Sequence, residues 1–276
     1  AESTINKSLN IAENLKENRV PTILDFKLRA ILNYRKNYYY EKAEEELNSA
    51  LKISEKFYGE KNFKNLIFLN LYTDIKTRQA KYKEAKFYAE KALEIANSNK
   101  ISIEYLESLK NLGLVHSLLG NVNLSESFYL KFLDHYQEYP QIKDVSKKTI
   151  YARANSSLGK LYADTGKFNK AEEFLNKALI IQEKFENKQD YAQTLSTIGS
   201  LYMLQGIKDR GRDYFLKALR IEEKIFGKSS LDLYFTLNQL GLSYFYLSEN
   251  KKAQETYIRN LEILRKHLPE SHQKIG

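Results

Sequence analysis

The chain has 276 residues, of which 44 are basic and 35 acidic for a net charge of +9, with 42% apolar residues and no cysteine. That apolar share excludes a wholly disordered chain. The missing thiols exclude disulfides, thiolate metal sites and cysteine nucleophiles together. Three prolines and eleven glycines are too few turn formers for an all-β protein of this length and suit helices joined by short turns.

The basic excess raises nucleic acid or an anionic surface as a partner. Yet the signs mix within single turns, as in Lys81-Tyr82-Lys83-Glu84 and Glu222-Glu223-Lys224, the pattern of solvated helix faces. A nucleic-acid partner for this segment is therefore not expected. No run approaches the ~18 apolar residues of a membrane span, and Ala1 to Leu15 lack a signal-peptide core. The segment reads as soluble and cytoplasmic, with no membrane partner.

In chain order, residues 1–17 form an amphipathic segment. Ala1 and Ser8 lie 42 residues before Ala43 and Ala50, so this segment is expected to be the second helix of a truncated repeat, and the chain a piece of a longer protein with additional domains. Six helix pairs are expected after it. Their first helices lie near 22–36, 62–78, 101–119, 147–165, 188–205 and 230–247, and their second helices near 40–57, 82–97, 122–136, 168–186, 208–226 and 251–267. The corresponding units are 18–59, 60–100, 101–146, 147–187, 188–227 and 228–268. The stretch from Tyr136 to Ser146, with Pro140, is the longest linker, and 269–276 is a tail without signal.

The pairs are phased by Leu158-Gly159-Lys160-Leu161-Tyr162, Ile198-Gly199-Ser200-Leu201-Tyr202 and Leu240-Gly241-Leu242-Ser243-Tyr244. With the glycine as reference, the six equivalent positions are Ile31, Thr73, Gly113, Gly159, Gly199 and Gly241, at intervals of 42, 40, 46, 40 and 42. Three residues on stand Tyr34, Lys76, His116, Tyr162, Tyr202 and Tyr244. Twelve on come Ala43, Ala85, Ser125, Ala171, Gly211 and Ala253, and nineteen on Ala50, Ala92, Phe132, Ala178, Ala218 and Asn260. Small residues let two helices approach, and the tyrosine fills the gap with an apolar body and a polar tip. One such pair cannot bury its face alone, so the pairs must stack.

This pattern resembles the tetratricopeptide repeat, a helix-turn-helix unit with glycine and tyrosine on its first helix and alanines on its second. The long period and the links Lys56-Phe57-Tyr58-Gly59-Glu60-Lys61 and Lys224-Ile225-Phe226-Gly227-Lys228 are similar to the kinesin light chain variety. The resemblance implies an all-α fold, a right-handed superhelical solenoid of antiparallel helix pairs. Lys76, Phe132, Asn260 and the 46-residue interval depart from it.

Catalysis is not expected. His116, His135, His267 and His272 have no partner at metal-ligand spacing, and His116, in the tyrosine position, reads as a packed structural histidine. Gly113 and Gly120 make no phosphate loop, and Ser156, Ser157 and Ser196 lie inside helices without a histidine base. No metal and no cofactor is expected.

The resemblance implies that first helices line a concave groove, with offsets minus six, minus three, plus one and plus four or five facing it. These offsets share one helix face. At minus three they give Leu28, Asn70, Lys110, Ser156, Ser196 and Asn238, and at plus one Leu32, Asp74, Leu114, Lys160, Ser200 and Leu242. Arg153, Gln193 and Asn111 add to the middle units. The candidate site is therefore Asn70, Asp74, Lys110, Asn111, Arg153, Ser156, Lys160, Gln193, Ser196 and Asn238, a polar band for a peptide backbone and its carboxylates. The carboxylate clamp of some family members is incomplete, because Leu114 and Ser157 follow Lys110 and Arg153 where it wants asparagine and a basic residue. Met203, Phe235, Phe245 and Tyr246 are expected either to form an apolar pocket for a partner's anchor or to pack on a missing helix. The expected function is a protein- or peptide-binding scaffold. The alternatives are the peptide-sensing domain of a bacterial transcription regulator and a regulatory array fused to an enzyme such as a protease.

Overall fold

The structure, a computed structural model, describes residues 19–98, 103–138, 145–184 and 188–267. The expected helix at 1–17, the loop around Pro140 and the tail 269–276 lie outside these or mostly so. The chain divides into two compact units, Ala1–Lys143 and Asp144–Gly276.

In unit 1 the helices are α1 (Val20–Lys36), α2 (Tyr40–Tyr58), α3 (Leu66–Arg78), α4 (Tyr82–Ala96), α5 (Ile103–Leu118) and α6 (Val122–Glu138). In unit 2 they are α7 (Val145–Asp164), α8 (Phe168–Lys184), α9 (Lys188–Leu204), α10 (Lys208–Phe226), α11 (Tyr234–Tyr246) and α12 (Asn250–His267). No strand occurs among the described residues. Within each unit the odd-numbered first helix packs on the second helix that follows, and that second helix packs on the next first helix. Each unit is thus an all-α stack of antiparallel helix pairs.

One turn closes all six pairs. Seven residues past each reference position the backbone is left-handed, at Tyr38, Ala80, Gly120, Gly166, Gly206 and Ser248, with φ between 59° and 78°. One residue further, the N–H reaches back to the carbonyl at plus three, as in Lys167 to Tyr162 and Asn121 to His116 at 2.8 Å. This six-to-one bond ends a helix by satisfying its orphan carbonyls. Two longer connections, Phe63–Asn65 and Leu231–Leu233, are single 3-10 turns that shorten the first helices expected from 62 and 230. Asn62 Oδ1 accepts from the Lys64 N–H and Ser230 Oγ from the Asp232 N–H, so each turn carries its own cap.

The glycines at the reference position do more than let backbones approach. A Cβ on Gly113, Gly159, Gly199 or Gly241 would meet the side chain sixteen residues on, Tyr129, Leu175, Phe215 or Tyr257, at 2.7–2.8 Å. The second helix therefore drives a large side chain into the notch. Beside it, the plus-three ring meets the ring at plus fifteen: Tyr162 with Phe174, Tyr202 with Tyr214, and His116 with Phe128, all with centroids within 5.5 Å. The small residues at plus twelve and nineteen are buried, Ala43, Ala171, Ala178 and Ala218 completely. Phe132 and Asn260, which depart from the small pattern, are buried as well.

Candidate functional site

The first-helix faces carry the polar band, and most of it is spent on neighbouring helices. In unit 1, Asn111 Nδ2 on α5 donates to Asn70 Oδ1 on α3 at 3.0 Å. Asn70 is 8% exposed, and its own Nδ2 is buried without an acceptor. Asp74 accepts from Arg35 Nη1 on α1 at 3.1 Å and from Arg78 one turn on. Lys110 stands half-buried on α5.

In unit 2, exposed Arg153 on α7 pairs with Asp190 on α9, Nε to Oδ2 at 2.6 Å, and Asp190 is itself buried. Thr194 Oγ1 donates to Ser156 Oγ at 3.0 Å, a second tie between the same helices. Ser196 Oγ lies 3.1 Å from Thr236 Oγ1 on α11, and Thr236 donates onward to Glu222 Oε1 on α10 at 3.0 Å. A hydroxyl has one proton, so Ser196 is the donor to Thr236. Burial, and behind it Asp232, pushes the Glu222 carboxyl above its ordinary value, against the Thr236 bond. Lys160 pairs with Asp164 within α7 at 2.6 Å. Gln193 is exposed and Asn238 half-buried, and neither side chain is held by another among the described residues.

What the face of unit 2 leaves open is a cavity of about 420 Å³ between α7, α9 and α11. Its apolar wall includes Met203, Leu204, Phe235, Leu242 and Tyr246, and its polar rim Lys160, Asp164, Thr197, Ser200, Gln239 and Lys208. Phe235 is 47% and Tyr246 50% exposed, unusual for large apolar side chains standing together. Phe245, expected either in such a pocket or against a missing helix, is not part of this wall. It is 59% exposed and meets the Tyr246 ring edge-on, with centroids 5.8 Å apart. Consecutive residues on a helix point about 100° apart, and only Tyr246 faces inward.

Most of the wall falls on offsets minus six, plus one, plus four and plus five, and of the ten expected site residues only Lys160 lines it. Lys208, on the first turn of α10, was missed because the turn after Gly206, not a first-helix offset, brings it to the rim. In unit 1 a second hollow of about 340 Å³ lies among Leu24, Leu28, Phe63, Ile67 and Phe68, rimmed by Asp25, Lys64 and Glu104. Among the described residues no three His, Cys, Asp or Glu side chains gather as metal ligands would, and no helix is long and apolar enough to cross a membrane.

Known proteins with this architecture can now be set beside it. The family model for the tetratricopeptide repeat matches residues 71–99 and 152–185, one segment in each unit. No curated protein matches the sequence. Among solved structures, a Rap protein complexed with competence and sporulation factor has a TM-score of 0.74 at 18% identity, covering 97% of this chain and 72% of that one. NprR in complex with its cognate peptide NprX gives 0.64 at 18%, covering 92% and 81%. A putative kinesin light chain of Podosopora anserina with nearly identical TPR-like repeats gives 0.54 at 15%, covering 74% and 97%. At these identities the likeness is one of fold. Residues 71–99 and 152–185 thus match the tetratricopeptide repeat, one segment in each unit, and the same closing turn recurs at one register in all six described pairs.

Proposed function

We propose that the chain is a protein- or peptide-binding scaffold that holds a partner segment on the first-helix face of unit 2, as the recognition or regulatory part of a larger protein. The observation that carries this reading is the cavity between α7, α9 and α11, an apolar hollow bordered by hydrogen-bonding groups. That combination suits a peptide side chain, with the rim left for the backbone. Gln193 and Asn238 have free amides to offer, whereas Asn70, Ser156 and Ser196 would first give up a neighbour. No catalytic step belongs to this reading.

A second reading, a peptide-sensing module within a bacterial transcription regulator, is favoured by the similarity to NprR, whose structures are described as a quorum sensor and as bound to its cognate peptide. In that case the same cavity binds, and an attached domain reads the result.

Selection of twelve-residue peptides from a displayed random library on the immobilised chain, followed by fluorescence anisotropy, tests the shared claim. Ser200→Trp, which fills the cavity, is expected to weaken the selected peptides by about tenfold or more, the scale of a lost buried anchor. Lys177→Ala on the outer helix α8 should leave them unchanged. Failure to select any peptide, or equal binding by the Ser200→Trp protein, would sink the proposal.

A further inference from the structure

We infer that the cavity of unit 2 selects a bulky apolar side chain flanked in sequence by a carboxylate side chain, with Lys208 as the residue that reads the charge. The inference rests on the proposed binding face and adds the chemistry of its occupant.

The apolar half of the argument is the wall. Phe235, Tyr246 and Leu204 are each about half exposed or more in the free protein, and with Met203 and Leu242 they enclose the hollow. Burying such surface is favourable in proportion to the apolar area removed from water, so an aliphatic or aromatic side chain is the occupant that gains most.

The charged half is a count of the rim. Its ionised groups are Lys160, Asp164 and Lys208. Lys160 and Asp164 neutralise one another at 2.6 Å. Lys208 has no carboxylate against it among the described residues. Its Nζ lies over the Tyr246 ring, 5.1 Å from the centroid, an attraction that holds the ammonium at the pocket mouth and leaves its charge uncancelled. The rim therefore carries one net positive charge beside an apolar wall. Of the other charged groups at the start of α10, Arg212 pairs with Asp209, Asp213 and Glu249, and Arg210 lies over the Tyr202 ring, 5.6 Å from its centroid, and is not part of the rim. A carboxylate one residue from the anchor would meet Lys208, and a lysine there would be repelled.

The test uses acetylated, amidated ten-residue peptides of glycine and serine with one central Leu or Phe, flanked on both sides by Glu, Gln or Lys. Blocked ends remove the terminal carboxylate and amine from the comparison. Anisotropy on the whole chain is expected to rank Glu above Gln above Lys, with about fivefold between neighbours, the upper range of one exposed charge pair. Lys208→Glu should invert the order and Lys208→Arg keep it. Phe235→Ala should weaken all three peptides alike. Equal binding of Glu, Gln and Lys peptides, or an order unchanged in Lys208→Glu, would overturn the charge reading while apolar-dependent binding left the binding face standing. If the central Leu or Phe can be replaced by Gly without loss, both fall.

Discussion

Unit 2 and unit 1 solve the same packing problem with different chemistry at one register. In unit 2 all three reference positions are glycine, and Leu175, Phe215 and Tyr257 sit in the notches. In the first two pairs of unit 1 the glycine is gone. Thr73 takes its place where the residue sixteen on is only Ala89, so bulk has moved from the second helix to the first. In the second pair the plus-three ring has gone too, although Tyr34 keeps it in the first. Lys76, 3% exposed, reaches Glu44 on α2 at 2.5 Å and Glu84 on α4 at 2.7 Å. Tyr88, at plus fifteen, has lost its usual ring partner and stacks on Tyr72 instead, with centroids 4.3 Å apart. Burial works against the Lys76 charge, and the two carboxylates hold its pKa above the ordinary value despite it. In the second pair bulk has changed sides, whereas in the first both Ile31 and Leu47 are large and both are buried. The exchange in the second pair is what close-packed interiors allow when total volume is kept.

The sharpest way to break that comparison is to overfill a notch. Gly199→Leu forces a side chain against Phe215, whose ring already lies 2.7 Å from where a Cβ would stand. Overpacking costs about 1–3 kcal/mol, more than the ~0.8 kcal/mol that a better helix former returns. Thr73→Val in unit 1 removes only a hydroxyl bonded to its own helix at Leu69 O, and should stay within about 1 kcal/mol of the parent. Urea unfolding of both variants measures the contrast. Equal stability of Gly199→Leu and Thr73→Val would mean that the notch is not filled as described.

The closing turn gives a smaller, opposite-signed pair. Gly166 in unit 2 and Ala80 in unit 1 hold the same left-handed conformation, with φ 74° and 59°, which a Cβ opposes by about 1–2 kcal/mol. Gly166→Ala should therefore lose about 1 kcal/mol. Ala80→Gly should gain somewhat less, because glycine also loses more freedom on folding. Differential scanning calorimetry that found Ala80→Gly less stable than the parent would refute the shared turn.

The helix pairs were legible because each is written by a few positions at fixed offsets, and Gly159, Tyr162, Ala171 and Ala178 lie where packing needs them. The notch partner was equally readable in Tyr129, Leu175, Phe215 and Tyr257, had the register been followed to plus sixteen. The polar band was read less well. The offsets put Asn70, Ser156 and Ser196 on the right helices. What they bond depends on how closely α3 approaches α5, and α7 and α11 approach α9, and that spacing is set by side chains elsewhere on each helix. Thr194, Thr236 and Arg35 are ordinary polar residues in the sequence, and only the fold shows them bonded to Ser156, Ser196 and Asp74. Large hydrophobic residues left half exposed mark the cavity: Phe235 and Tyr246 both line it.

The two units also differ in how pH should act on them. In unit 1, His116 is buried and stacked on Phe128, and Asn121 Nδ2 lies 3.2 Å from its Nδ1. Burial, helped by Lys86 and opposed by Glu90, lowers its pKa below the ordinary 6.5. Between that lowered value and 6.5 the unfolded chain binds the proton and the folded chain does not. Stability is therefore complete above about pH 6.5 and falls as the pH drops through this window. In unit 2, Glu222 has the reverse sign. Burial raises its pKa above 4.5, so the folded chain holds a proton that the unfolded chain has released, and stability falls as the pH rises from 4.5 through the raised value. The effects oppose one another in the parent and separate in variants. His116→Tyr, which restores the ring of the regular repeat, should flatten the loss of melting temperature between pH 7.5 and 5.5, and Glu222→Gln should remove the fall in stability that begins above pH 4.5. Identical melting profiles for His116→Tyr and the parent across that range would mean that His116 is not excluded from water by the α5–α6 pair. The aromatic stack on Phe128 would then be no substitute for the tyrosine pairs of unit 2.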